Sequence, residues 1–538
     1  MAKIVLIPNL AGEPGQTPSL RPPLGLISLA TVLKRDGFED VEIFDLNPLL
    51  PNHSYEQLCD AIMARSPAVL GFSTMCDNYL SVLKLAGGCK RQAPGLKVIL
   101  GGPQATVTDA ETLQTFPFID VIARGECETN ISAIMRALLD DSALADVAGV
   151  TFRGEHGVIR NAMPSTINNL DILPLPDYGL YHNLSSLKQL HVEVGRGCPF
   201  ECTFCSTNDF WSRKYRLRST GRQIELLRTL TAAYGFKRFV FDHDNLTANR
   251  ARVIALCRGI RHAGLEITWR CSCRIDCIDP DLMQEMASAG CNRVYLGIET
   301  GSPRMQKLIK KKLDLMHAVD TVEQLLTVGI RVTASFIMGF PQETLEDLLQ
   351  TIDLMLRLRF AGNGMVNIFL FMLAPNPQTP LFETYRHSLR FDGNLSVIAY
   401  RETSVEDREV VTHHPEIFAA YHYYDTPHLS RDFLLRTHFL IDHLLLLPNT
   451  LRMLWEDPQL GFPGRFLDQV AKLKAPSLAH YHTEPQLLEV SAFVSEVLIA
   501  SGYADHRVLE MLRREININR VLSTSLGPGI GIYAAERH

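Results

Sequence analysis

Three cysteines, Cys198, Cys202 and Cys205, stand in one short stretch, Gly195-Arg196-Gly197-Cys198-Pro199-Phe200-Glu201-Cys202-Thr203-Phe204-Cys205. The C-x3-C-x2-C spacing offers three thiolates from a single loop. A four-iron cluster normally takes four cysteine ligands, so three leave one iron open. Catalytic metal sites in general keep such a position free for substrate. Taken alone, the triplet also reads as three loop cysteines, or as a zinc site lacking its fourth ligand. The flanking sequence decides between these readings.

The chain has 538 residues, enough for two or three domains of ordinary size. Hydrophobic residues make up 46% and charged residues 21%, the balance of a soluble, well-packed protein. No apolar run approaches the roughly 18 residues needed to span a bilayer. The start, Met1 to Pro8, holds one short apolar run that Pro8 ends, which reads as a strand and not as a signal-peptide core. That predicts a cytoplasmic protein. A net charge of −6 argues against a broad nucleic-acid surface. Twelve cysteines in such a chain point to reduced thiols and metal ligation rather than disulfides.

The elements that must position the triplet follow from the hydrophobic pattern. In residues 1–140 short apolar strands at 4–7, 41–44, 68–72, 98–100 and 121–123 alternate with helical stretches, which predicts a doubly wound, Rossmann-like parallel sheet. Small residues follow several strands, as in Gly101-Gly102-Pro103 and Gly125-Glu126-Cys127-Glu128. That rim is where open α/β sheets bind ligands. Residues 141–187, with a hairpin-like strand at 150–154 and Leu173-Pro174-Leu175-Pro176, read as a linker. From 188 to 375 strand and helix signals repeat about every thirty residues, and six such units predict a partial (β/α)6 TIM-like barrel. The remainder, 376–538, reads as a mainly helical capping region, with helices at 433–447, 465–474, 485–501 and 508–518.

The triplet, with an aromatic before its third cysteine, resembles the radical S-adenosylmethionine (SAM) superfamily. The N-terminal phrases Pro22-Pro23-Leu24-Gly25-Leu26, Gly71-Phe72-Ser73-Thr74, Gly101-Gly102-Pro103-Gln104 and Gly125-Glu126-Cys127-Glu128-Thr129 resemble the cobalamin-binding domain that precedes many members. The resemblance implies Cys198, Cys202 and Cys205 as ligands of a 4Fe-4S cluster. It implies Ser73, Thr74, Gly101, Gly102, Gly125 and Glu126 along the groove for the nucleotide tail of cobalamin. No D-x-H-x-x-G motif follows the first strand, so cobalamin would bind without a histidine beneath the cobalt, and His53 is expected to be a loop residue. Phrases at the barrel strand ends match in order: Phe241-Asp242-His243-Asp244-Asn245, Arg270-Cys271-Ser272-Cys273-Arg274, Gly297-Ile298-Glu299-Thr300-Gly301 and Ile337-Met338-Gly339-Phe340-Pro341. By resemblance Asp242 and Asp244 face the SAM amino group, Arg274 its carboxylate and Glu299 its ribose. Phe204 and the Gly339 segment would then meet its adenine.

The implied activity is a cobalamin-dependent radical SAM methyltransferase acting on an unactivated carbon of a small molecule or peptide. It would draw electrons from an external donor of flavodoxin or ferredoxin type. The alternatives are a non-methylating cyclisation or rearrangement, and a radical SAM enzyme with an empty cobalamin-like domain. No catalytic side chain beyond the cofactor contacts is assigned. Cys271, Cys273, Cys277 and Cys291 suggest an auxiliary cluster, but read better as small interior residues. Cys59, Cys76, Cys89, Cys127 and Cys257 are expected to be buried. The histidine- and tyrosine-rich stretch 413–424 is expected to pack between elements rather than line a pocket.

Overall fold

The computed structural model describes residues 2–472 except 17, 19, 365 and 397–402, together with 494, 495, 497–500 and 507–516. The first strand, β1 (Ile4–Ile7), is an apolar run buried on both faces, as a central parallel strand must be. Around it stand β2 (Val41–Ile43), β3 (Val69–Ser73), β4 (Lys97–Gly101) and β5 (Val121–Ala123), in the order β2-β1-β3-β4-β5 and all parallel. The chain order is that of a doubly wound sheet. The hairpin β6 (Val150–Gly154) and β7 (Gly157–Arg160), expected inside the linker, joins this sheet antiparallel beside β5. Its short alternating strands bury only Val150 and Thr151, which is why they carry a weak signal.

The second sheet holds β8 (Leu190–Glu193), β11 (Arg238–Asp242), β12 (Thr268–Cys273), β13 (Cys291–Glu299), β14 (Arg331–Met338) and β15 (Val366–Met372). All six are parallel and neighbours in chain order, the expected partial barrel. Helices follow strands, for example Arg250–His262 capped by Asn249, and Leu345–Phe360 opened by a capping box of Thr344 and Asp347. Between strands and helices Trp269 stacks on Phe241 at 4.7 Å and donates its indole N–H to the Ala289 carbonyl at 2.8 Å. A two-stranded hairpin, β9 (Gly195–Arg196) with β10 (Arg216–Leu217), encloses the cysteine triplet.

Beyond the barrel, β16 (Leu389–Arg390) pairs with β17 (Tyr423–Tyr424), and the intervening chain crosses to the N-terminal sheet. There Leu395, Val411, Ile417 and Phe418 join the core formed with Tyr79, Leu83 and Leu113, and Gln104 donates to the Ile417 carbonyl at 2.8 Å. The helix Arg431–Leu445 returns to the barrel, where His438 bonds the Leu370 carbonyl at 2.8 Å. Helices Pro448–Glu456 and Gly464–Lys472 follow it. Of the helix expected at 485–501 most lies outside the described residues, and of that at 508–518 residues 508–516 are helical.

Candidate active site

The triplet loop is pinned by three separate segments. Gly197 has φ +84, and a Cβ there would lie 2.1 Å from the Lys214 carbonyl oxygen, so the turn into Cys198 requires glycine. Its N–H donates to Asp244 Oδ2 at 2.8 Å. Thr203 donates its N–H to the Ile309 carbonyl at 3.0 Å, and its carbonyl accepts from the Leu381 N–H at 3.0 Å. Cys202 is buried, while Cys198 and Cys205 are half-buried.

Burial, with the nearby thiols Cys205 and Cys202, pushes Cys198 up to about 11. Burial also raises Cys202, against the positive charges of Lys311 and Arg274. It raises Cys205 too, against hydrogen bonding to Thr207. Binding iron therefore displaces protons that these thiols otherwise hold. Among the described residues no group of three or more His, Cys, Asp or Glu is gathered to hold a single metal ion. Three thiols that feel one another's charge, set beside two cations, are a donor set that fits an anionic iron–sulfur cluster.

Those cations belong to a small buried network. Arg274 Nη1 lies 4.0 Å from Cys202 Sγ, its Nη2 donates to the Lys311 carbonyl at 2.8 Å, and its Nε and Nη2 bind Asp276 at 3.0 and 2.9 Å. The guanidinium also stacks over the Phe200 ring at 3.7 Å. Lys311 is 8% exposed and its Nζ meets Glu299 Oε1 at 2.9 Å. Burial opposes its charge, but Glu299 and Cys202 outweigh that. Sequence reading passed over Lys311 because Lys310-Lys311-Lys312 resembles a solvated charge run. The neighbours take φ of +54 and +58 and stay outside, while the middle residue turns in. A Cβ at Gly297 would meet Glu299 Oε1 at 2.4 Å and Lys311 Nζ at 3.1 Å, so glycine leaves the space the pair fills.

The other barrel residues divide between this network and the inner wall. Phe204 meets Phe340 edge-on at 5.6 Å, beside Gly339, whose φ is +91 and whose N–H donates to Glu343 Oε2 at 2.6 Å. Glu299 has φ +70 at a bulge in β13, a conformation that side chains avoid and that turns its carboxylate toward Lys311. Asp242 is engaged by His191, with Oδ2 at 2.7 Å from His191 Nδ1.

At the N-terminal sheet, Ser73, Thr74, Gly101, Gly102, Gly125 and Glu126 lie along the carboxyl ends of β3, β4 and β5, with Ser73 in register with Gly101. Thr74 is buried. Its hydroxyl donates to the Gly101 carbonyl at 2.8 Å and accepts from the Ala105 N–H at 2.9 Å, so it braces the rim. Gly102, at φ +96, passes so close that a Cβ would lie 2.7 Å from the Thr74 carbonyl. Ser73, Gly101, Gly102 and Gly125 are half-buried. A rim of small, partly open residues admits a large flat cofactor close to the backbone, and so fits a corrin with its tail. His53 bonds the Leu49 carbonyl of its own turn at 3.0 Å.

Glu126 reaches the hairpin that carries the cluster loop. Arg196, two residues before Cys198, binds Glu126 at 2.7 Å, Glu128 at 2.5 Å and Glu193 at 3.0 Å. Arg216 binds the other oxygen of Glu126 at 2.7 Å, and Ser28 donates to Glu128 at 3.0 Å. Arg196, Arg216 and Glu128 are buried, Glu126 and Glu193 are half-buried, and Trp211 lies under both guanidiniums at 5.5 and 5.6 Å. They tie the rim to the cluster loop.

Cys271 hydrogen-bonds to Cys273 and Cys291 in the layer beneath Cys257 of the helix Arg250–His262. Cys277, half-buried, contacts Asp276 and Asn245. Cys59, Cys89, Cys127 and Cys257 are buried, and Cys76 is half-buried. In the stretch 413–424, His413 and His422 bond carbonyls of their own turns, at 2.8 and 3.0 Å. Tyr424 joins the cluster of Phe340, Leu373 and Leu381 against which Phe204 packs.

Residues 192–355 match the family model of the radical SAM superfamily, and residues 16–135 that of the B12 binding domain. An uncharacterized methyltransferase of Pyrococcus horikoshii is 33% identical over 372 residues, 67% of this chain and 78% of that protein. The anaerobic magnesium-protoporphyrin IX monomethyl ester cyclase of Cereibacter sphaeroides is 26% identical over 71% of this chain and 64% of its own. The structure of the radical S-adenosylmethionine methyltransferase TsrM from Kitasatospora setae, with cobalamin and a 4Fe-4S cluster bound, superposes with a TM-score of 0.63 at 17% identity. It covers 94% of this chain and 100% of that one.

Proposed function

Because this chain belongs to the radical SAM enzymes that carry a B12-binding domain, we propose that it is a cobalamin-dependent methyltransferase acting on an unactivated carbon. Its cofactors are a 4Fe-4S cluster, SAM and cobalamin. Together these supply hydrogen abstraction from a C–H bond and the methyl group that replaces the hydrogen. The observation that carries the reading is the Arg196–Glu126–Glu128 network, which holds the cluster loop against the rim of the N-terminal sheet.

Within this reading Cys198, Cys202 and Cys205 hold the cluster, and Asp244 fixes the loop through Gly197. Arg274 and Lys311 balance the charge gathered at Cys202. Glu299, oriented by Lys311, receives the ribose, and Phe204 with the Gly339 segment lines the adenine side. Asp242 is left to the amino group or to substrate. Ser73, Gly101, Gly102 and Gly125 offer backbone to the corrin tail, while Thr74 and Glu126 hold that rim in place. The buried apolar cluster around Phe340 and Tyr424 keeps water from this side. An external reductant of flavodoxin or ferredoxin type and a cytoplasmic location complete the proposal. No helix of the described residues is long and apolar enough to cross a membrane.

The test is anaerobic reconstitution with iron, sulfide, cobalamin and reductant, followed by mass spectrometry of SAM products. Formation of both 5′-deoxyadenosine and S-adenosylhomocysteine is expected, with Cys202→Ala losing iron and deoxyadenosine together. Deoxyadenosine without S-adenosylhomocysteine would favour a non-methylating transformation, a second reading supported by the similarity to the cyclase. Neither product from the unaltered chain would sink both.

A further inference from the structure

The alternation of burial on β12 separates its two faces. Trp269, Cys271 and Cys273 are buried against the helical layer, so Arg270 and Ser272 stand on the inner wall of the barrel. Arg270 is in register with Arg293 on β13. His191 of β8 and Asp242 of β11 share this face, as does Tyr295, which hydrogen-bonds to Ser335 across β13 and β14. A third positive charge comes from Arg21, in the loop that enters the helix Leu24–Arg35 of the N-terminal sheet; both Arg293 and Arg21 bear on Arg270.

Arg270 is half-buried, yet it has no hydrogen-bond or ion-pair partner among the described residues. Asp242 is the opposite charge that bears on it, and Asp242 is already engaged by His191. By contrast Arg196, Arg216 and Arg274 each hold a carboxylate. A guanidinium carries five donors in a fixed fork and remains charged at any accessible pH. Half-buried beside two like charges and with its donors unused among the described residues, Arg270 is placed to receive an anion that enters the barrel. Arg270 also stands four residues before Arg274, the extended residue that follows β12, about 13 Å along the chain. A metabolite-sized molecule spans that distance between the wall and the cluster loop.

We propose that Arg270, supported by Arg293 and Arg21, binds a carboxylate or phosphate group of the substrate, so that the molecule acted on is an anion held by that group with its reacting carbon toward the cluster loop. The inference rests on the barrel being the reaction chamber of the proposed enzyme. A planar oxyanion suits the two parallel N–H donors of a guanidinium.

Phenylglyoxal labelling of the full-length chain, mapped arginine by arginine by peptide mass spectrometry, tests this directly. Arg270 is expected to react, and inorganic phosphate or acetate to slow that reaction about tenfold or more, which corresponds to about 1.4 kcal/mol of occupancy-weighted protection. Protection by phosphate alone assigns a phosphorylated substrate, and protection by acetate alone a carboxylic acid. An Arg270 inert to the reagent, or labelled at one rate with and without both anions, overturns the proposal. Calorimetric titration of the reconstituted protein with the same two anions is expected to show binding that Arg270→Gln abolishes, with iron and cobalamin contents measured to confirm folding. Binding that persists in the variant overturns it as well. Neither readout uses SAM cleavage, so absent SAM products overturn only the proposed function, and an unprotected Arg270 only this inference.

Discussion

Glu343 shows what one buried side chain imposes on the site. Its Oε2 accepts from the Gly339 N–H, its Oε1 has no hydrogen-bond partner among the described residues, and burial pushes the carboxyl up to about 8 from an ordinary value of 4.5. It is therefore protonated at neutral pH. Because the folded value is raised, its stabilising contribution is complete below 4.5 and is lost as pH rises through about 8. Unfolding by urea across that window should show a decline with a limiting slope of about 1.4 kcal/mol per pH unit. In Glu343→Gln the decline should vanish, and equal slopes in both proteins would refute the assignment. At this scale the cysteine triplet was legible because its spacing, read together with the phrases that flank it, is local in the sequence. Lys311 was not, because a run of three lysines says nothing about which one a left-handed turn on either side drives inward.

The elements were legible where burial is two-sided. The apolar runs of β1 and β3 and the strand-helix repeat of the barrel announce themselves, and the structure follows them closely. The hairpin-like strand at 150–154 was legible, but its partner β7 is largely exposed and its pairing to β5 is non-local, so its place in the first sheet was not. The barrel strands depend on the layer between sheet and helices, and Trp269 is its largest member. Trp269→Ala removes the stack on Phe241 and strands the Ala289 carbonyl, and should cost about 3–5 kcal/mol in denaturant unfolding. A loss below about 1.5 kcal/mol, the range of volume-conserving swaps, would mean that the helices repack over the gap.

Across the whole molecule, the two sheets are joined by charge. Glu126 was expected to line a groove, and its use as a partner of Arg196 and Arg216 could not be read, since it links residues far apart in sequence. Arg196→Met would leave Glu126, Glu128 and Glu193 with fewer cations in a buried site. Removing one partner of such a set costs about 3–5 kcal/mol, so the unfolding midpoint of the full chain should fall and cobalamin and iron retention should fall with it. An unchanged midpoint would show that the contact is not what holds the sheets together.

The strand of chain that carries Phe418 across to Tyr79 and Phe116, with rings 6.3 and 6.4 Å apart, also sets a timetable. Tyr79 and Phe116, at the ends of helices that flank the first sheet, emerge from the ribosome long before their cover is made. At roughly 5–20 residues per second, the intervening three hundred or so residues take on the order of tens of seconds. During that interval the nascent sheet presents bare apolar surface, a natural substrate for chaperones, and translation rate becomes a variable in how much of this protein matures.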